Sequence, residues 1–297
     1  MKNYLNLAHR VKNHWWRYCL GMLLIATVWI YSGGLFALIV MKLASYTTIS
    51  LAAEQYIGGK TQDIFSILAV FLALKWLHQR QLSTLISVEG KLSFKRLFTS
   101  TTVWLLLTGF IYLVIDRSIS SDRNLVTIFE LQRWFSWLPF IIVFTIIQSA
   151  GEELIFRGYI LQALGRFEPQ PLFAIHLSSL LFALGHFAPL SNFSLFVFYF
   201  IVGIFLAIVT LKDNRLELAI GIHAAINLFY LLIVQSADSP FKSAIWETQT
   251  VDGKTAFLDF AYVLSMMAIF YGIFFLVPQY SNISINNRNS STRTNSK

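Results

Sequence analysis

Cysteine and charge are both scarce in this chain of 297 residues. Cys19 is the lone cysteine, which excludes an internal disulfide scaffold and says nothing of redox compartment. Charged residues make up 13% of the chain, about half the usual share of a soluble domain. The apolar residues, 56% of the total, are gathered into long runs. These proportions exclude a soluble globular enzyme and a disordered chain, and they point to an all-α polytopic membrane helix bundle. No internal repeat and no soluble domain is visible. The N-terminal segment lacks a short apolar core followed by a small-residue cleavage site, so the first apolar run reads as a retained anchor. A terminal prenylation box is absent too. The net charge of +8, from 23 Lys and Arg against 15 Asp and Glu, does not call for nucleic acid. The basic residues lie in short segments between apolar runs, with no basic stripe interleaved with aromatics.

A membrane-spanning helix needs about 20 mainly apolar residues. Eight runs are candidates: Tyr18–Met41, Ile64–Leu77, Thr101–Ile115, Ser136–Tyr159, Leu172–Leu190, Phe193–Leu211, Leu216–Val234 and Leu258–Val277. The second and third are short for the task. With the N-terminus cytoplasmic, sixteen of the Lys and Arg fall on the inner segments and seven on the outer, and this asymmetry puts both termini inside. The expected organisation is a basic cytoplasmic segment over 1–17, a transmembrane domain over 18–280 and a disordered polar tail over Ser281–Lys297, rich in Ser and Asn.

Ionisable groups inside apolar helices cost about 2.5–3.5 kcal/mol each on insertion scales, so they mark function first. The fourth run ends Gln148-Ser149-Ala150-Gly151-Glu152-Glu153-Leu154-Ile155-Phe156-Arg157. Glu153 and Arg157 are four apart and can pair on one helix face. Ser149 extends that row, and Gln148 and Glu152 form the adjacent one. Glu152 points about 100° away from Glu153, with no partner expected on its own helix. It is the carboxylate free to activate a water. His223 and Asn227 are also four apart, and two donors on one row suit the oxyanion of a tetrahedral intermediate. His186 comes from a third helix. Glu152, His186, His223 and Asn227 together suit amide hydrolysis by water. Glu152, His186 and His223 also make a carboxylate-and-two-imidazole set of the kind that holds catalytic zinc. Asn227, a poor zinc ligand and a good oxyanion donor, favours the metal-free version. Glu153 with Arg157 reads equally well as a structural pair. Phe182 reads as packing, His176 as a satisfied core histidine, and Phe193–Phe205 as lipid-facing or core.

Glu-Glu-x-x-x-Arg at 152–157, Phe-x-x-x-His at 182–186 and His-x-x-x-Asn at 223–227 resemble, in order and residue type, the three signature motifs of the CAAX protease and bacteriocin-processing family (CPBP, or Abi) of intramembrane proteases. The resemblance covers about a third of the chain, roughly Ser136–Tyr230, a motif core within a transmembrane peptidase domain. It implies an eight-helix bundle with a cavity open to one side of the membrane. Glu152 and His186 would activate the water, His223 and Asn227 would hold the oxyanion, and Glu153, Arg157 and Phe182 would support them. The implied activity is endopeptidase cleavage of a membrane-associated protein or peptide in the lipid bilayer. No cofactor is firmly implied, with zinc on Glu152, His186 and His223 as the alternative, and a non-catalytic immunity or scaffold protein is the rival from another class. The expected location is the plasma membrane of a bacterium.

Depth poses a difficulty. If the fifth helix runs outward from Leu172, His186 lies about 21 Å along it, while Glu152 and His223 lie nearer the inner face. They meet only if the fifth helix starts deeper or tilts strongly, or if the fourth extends to about Leu164. The expectation is that Arg166–His176 dips into the membrane or caps the site.

Overall fold

The computed structural model describes residues 2–10, 12–116, 125–167, 170–186, 193–248 and 253–277. Five helices are long and apolar enough to cross a membrane: α1 (Trp15–Ala44), α2 (Leu51–His78), α3 (Phe94–Val114), α4 (Leu131–Phe167) and α6 (Phe193–Asp213). Such helices are the mark of an integral membrane protein. The remaining apolar helices are shorter: α5 (Pro171–Gly185), α7 (Glu217–Leu232) and α8 (Gly253–Tyr271). Among the described residues there is also one sheet of three-residue strands, β1 (Leu125–Thr127), β2 (Val234–Ser236) and β3 (Trp246–Thr248), in the order β1-β3-β2. The chain divides into two compact units, Met1–Thr250 and Val251–Lys297, with α8 in the second. The polar tail Ser281–Lys297 lies outside the described residues.

The helices correspond to the eight runs, but several boundaries move. α2 begins at Leu51 instead of Ile64. Its start is set by Ser50, whose hydroxyl accepts from the Ala53 amide at 3.3 Å as an N-cap. Its first turns carry Glu54, Lys60 and Gln62, polar residues that a search for apolar runs passes over. α4 does not stop at Tyr159 but continues unbroken to Phe167, 37 residues in all. α5 then opens with Pro171 in its first turn, where a missing amide hydrogen costs nothing. The N-terminal segment folds as well. Tyr4, Leu5, Leu7 and Ala8 are buried, and the Tyr4 hydroxyl donates to the Leu85 carbonyl.

Small residues set the crossings, as expected where lipid leaves no hydrophobic drive for helices to associate. A Cβ on Gly151 of α4 would sit 1.8 Å from the Ser66 hydroxyl of α2. One on Gly203 of α6 would sit 2.9 Å from the Ser179 Cβ of α5. The first close approach holds α2 against α4 beside the Glu-Glu pair, and the second holds α5 against α6.

Candidate active site

α4 carries the first motif at a point where its winding changes. The helix is regular to Glu153 and then follows π-type pairing over Leu154–Ile160, a departure often found at functional positions. Every residue from Gly151 to Ala163 is buried. Glu153 and Arg157 are fully buried, and Arg157 Nη1 donates to Glu153 Oε1 at 3.0 Å. The expected pair therefore forms.

It does more than balance charge. Glu153 Oε1 also faces His223 Nδ1 at 2.8 Å. An ionised carboxylate only accepts, so the Nδ1–H of His223 donates and the ring is fixed in one tautomer. Arg157 is held from two further sides. Its Nη2 donates to the Gly203 carbonyl at 3.3 Å, and its guanidinium lies 4.1 Å above the centre of the Phe182 ring. A cation over a desolvated ring gains on the order of 2 kcal/mol. Glu153 Oε2 and Arg157 Nε have no hydrogen-bond partner among the described residues.

The depth difficulty dissolves in the length of α4. Glu152 stands 15 residues before Phe167, and His186 stands 15 residues after Pro171. In an antiparallel hairpin the two are about 22 Å from the bend on either arm, at the same level. The described residues of Arg166–His176 are the end of α4 and the beginning of α5, at the far end of both helices from Glu152 and His186, so they do not cap the site. Of the alternatives, the longer fourth helix is the one the chain adopts, ending at Phe167 instead of about Leu164.

His186 ends α5 as its C-cap residue. Its Nδ1–H donates to the Phe182 carbonyl at 2.8 Å, which leaves Nε2 aimed elsewhere. Nε2 lies 3.9 Å from Glu152 Oε2, and His223 Nε2 lies 3.7 Å from the same oxygen. Three helices thus converge on one carboxylate oxygen. Phe182, buried and central, packs its ring edge-on to both imidazoles, with centroids 4.6 Å from His186 and 5.7 Å from His223. Asn227 is half-buried, one helical turn beyond His223 on α7. It makes no side-chain hydrogen bond among the described residues.

Three features escaped the sequence reading. Glu152 does have a partner on its own helix: Gln148 Nε2 donates to its Oε1 at 3.0 Å. Tyr199, one aromatic among many in α6, stacks on His186 at 3.9 Å between centroids and 25° between planes. α2 contributes Lys60, whose ammonium donates to Gln148 Oε1, and Asp63, which interacts electrostatically with Lys60, Glu152 and His223. The four-residue spacing of Gln148 and Glu152 signals the first of these; nothing in the sequence marks Tyr199, Lys60 or Asp63. His176 is exposed and turned onto its own helix, with Nδ1 against the Leu172 carbonyl at 2.7 Å.

The same atoms test a metal. Zinc held at about 2.0–2.1 Å by tetrahedral oxygen and nitrogen ligands sets them about 3.3–3.4 Å apart. The 3.7 and 3.9 Å separations are wider, and among the described residues no group of three or more His, Cys, Asp or Glu is arranged to hold a metal ion. The residues as they stand do not fit zinc.

Comparison with known proteins meets this geometry at the same residues. A family model, Rce1-like, described as Type II CAAX prenyl endopeptidase Rce1-like, matches residues 134–229. A relative from Bacillus subtilis (strain 168), described as Uncharacterized protein YyaK, is 28% identical over 214 residues, which is 71% of each chain. No solved structure matches. Residues 134–229 hold all three motifs, and over that stretch the chain carries the pattern of the CAAX prenyl endopeptidase family that those motifs resemble.

Proposed function

We propose that this protein is an intramembrane endopeptidase that cleaves a peptide bond of a membrane-associated protein or peptide. One observation carries the reading: Glu152 Oε2 faces the Nε2 atoms of His186 and His223, each ring fixed by its other nitrogen. The family match at 134–229 supports the reaction class.

In this mechanism a water lies beside the 3.9 Å edge between Glu152 Oε2 and His186 Nε2. An oxygen about 2.8 Å from both atoms would subtend an angle of about 90°, near that between the two O–H bonds of water. One O–H then donates to the carboxylate and the other to the imidazole lone pair. Glu152 takes a proton as the water oxygen attacks the scissile carbonyl. The tetrahedral oxyanion accepts from the Asn227 amide and from His223 Nε2, which donates when the ring is an imidazolium with its Nδ1–H kept on Glu153. The proton on Glu152 passes to the leaving amine as the C–N bond breaks. Glu153, Arg157 and Phe182 act as positioning residues: they fix the His223 and His186 rings and touch no reacting atom. The substrate is a peptide or protein tail reached from the cytoplasmic side, with both termini of the enzyme on that side.

The test compares the termini of membrane peptides in cells carrying the intact chain with those carrying Glu152→Gln. Removal of a general base costs about 10²–10⁴-fold, so termini produced by the intact chain should vanish while the variant stays in the membrane in equal amount. Identical sets of termini would end the peptidase reading and favour a binding role. Exhaustive chelation should leave the intact protein active. Loss of activity restored by zinc alone would replace the direct Glu152–His186 mechanism with a metal-bound one.

A further inference from the structure

α2 reaches the site through a chain of three polar groups. The Lys60 ammonium donates to Gln148 Oε1, and Gln148 Nε2 donates to Glu152 Oε1 at 3.0 Å. An ammonium has only donors and an ionised carboxylate only acceptors. The amide between them therefore has a single orientation that satisfies both ends. One oxygen of Glu152 is committed to Gln148, and the other is left facing His186 and His223.

Lys60 is not placed as an ordinary ion-pairing lysine. It forms no ion pair among the described residues; its nearest partners are the neutral amide of Gln148 and the face of the Tyr56 ring, 5.4 Å from Nζ. Asp63, one turn on, interacts with it electrostatically, and so does Glu152. A lysine within a membrane helix costs about 2.5–3.5 kcal/mol on insertion scales, and it is retained here beside two carboxylates, neither of which it touches. The close crossing at Gly151 and Ser66 holds α2 against α4 at this level.

We propose that Lys60 is a positioning residue for Glu152, acting through Gln148: it sets the amide, the amide holds Oε1, and Oε2 is thereby presented to the two imidazoles. The identity of Glu152 as the base rests on the peptidase reading; the control of its carboxylate by Lys60 does not. With Lys60 or Gln148 removed, Glu152 Oε1 loses a charge-backed donor, a hydrogen bond that favours the ionised form of the carboxylate.

The experiment uses the full chain in lipid nanodiscs and dicyclohexylcarbodiimide. The acid O–H of a protonated carboxyl group adds across the reagent's C=N bond, and the adduct rearranges to a stable N-acylurea that mass spectrometry locates. At neutral pH, Lys60→Met and Gln148→Leu should each raise labelling of Glu152 by about tenfold, the ratio that corresponds to one unit of proton affinity. The double variant should add nothing further, since both changes cut the same chain. Lys60→Arg should restore low labelling, and Glu153 should label equally in all forms. A second arm follows cleavage of an internally quenched, S-farnesylated CAAX peptide, in which kcat should fall with KM held. Unchanged Glu152 labelling in Lys60→Met overturns the proposal, as do additive effects or an equal rise at Glu153, the mark of general loosening. A raised KM with kcat intact also overturns it, by making Lys60 an anchor for substrate. If the intact chain leaves the peptide uncut, the failure counts against a prenylated substrate, the comparison of membrane-peptide termini decides the peptidase reading, and the labelling still decides the role of Lys60.

Discussion

α1 and α4 are the two longest helices, and the more apolar of them is the less buried: 17% of the most apolar stretch of α1 is inside the protein, against 44% for α4. Leu23, Tyr31, Leu35 and Leu38 of α1 are all exposed. Between Gly151 and Ala163, α4 has no exposed residue at all. In water the ranking would be reversed. In lipid, apolar side chains gain nothing by leaving the acyl chains, so burial follows polarity and close packing. The helix whose middle carries Gln148, Glu152, Glu153, Arg157 and Gln162 must go inside, and the helix whose charged residues, Arg17 and Lys42, stand only near its ends can stay at the rim.

That contrast is sharpest at Arg157. Removing one member of a buried ion pair leaves the other charge uncompensated and costs about 3–5 kcal/mol. Arg157→Ala should therefore lower the unfolding midpoint in detergent more than any single change in the lipid-facing half of α1. Replacing both partners, Glu153→Leu with Arg157→Met, should recover much of that stability and leave activity lost, because His223 loses the acceptor for its Nδ1–H. A double variant that regains activity would make the pair purely structural.

Smaller effects follow at the helix crossings. Gly151→Ala pushes a methyl group into the Ser66 hydroxyl, at 1.8 Å before relaxation. Overpacking of this kind costs about 1–3 kcal/mol, read as a lower midpoint together with reduced turnover, since Glu152 is the next residue. An unchanged midpoint would mean that α2 and α4 part more easily than their contact suggests. Tyr199→Leu removes the ring stacked on His186. Aromatic pairs contribute about 0.5–1.5 kcal/mol beyond their area, so turnover should fall by roughly three- to tenfold with the fold intact.

The sequence made the site legible where spacing alone determines contact. Glu153 and Arg157 had to share a face, and they pair. Three motifs in order named the residues that converge on Glu152. What spacing does not encode is contact across helices, and there the sequence reading ran out. Lys60 and Asp63 lie in the polar first half of α2, outside the run that began at Ile64, so nothing marked them as membrane-embedded. Tyr199 was one ring in an aromatic-rich helix. The end of α4, and with it the level of Glu152, was misplaced for a different reason: hydropathy places a helix end where polar residues begin, and Gln162 and Arg166 are polar residues within a helix that continues.

The fold class was legible from composition, and the helix ends were not. Gly33 and Gly34 show what decides between neighbours of identical type. A Cβ on Gly33 would lie 3.0 Å from the Gln62 Cγ and 3.1 Å from the Phe65 Cβ of α2, whereas one on Gly34 meets nothing within 4 Å. Both sit inside a helix, where glycine is worse than alanine by roughly 0.5–1 kcal/mol. Gly34→Ala should therefore raise the unfolding midpoint slightly or leave it unchanged, and Gly33→Ala should lower it, as the propensity gain is outweighed by crowding against α2. Equal shifts of the same sign would show that the inward and outward faces of α1 are not distinguished by packing, and the contrast between rim and core would then have to rest on the ionisable groups of α4 alone.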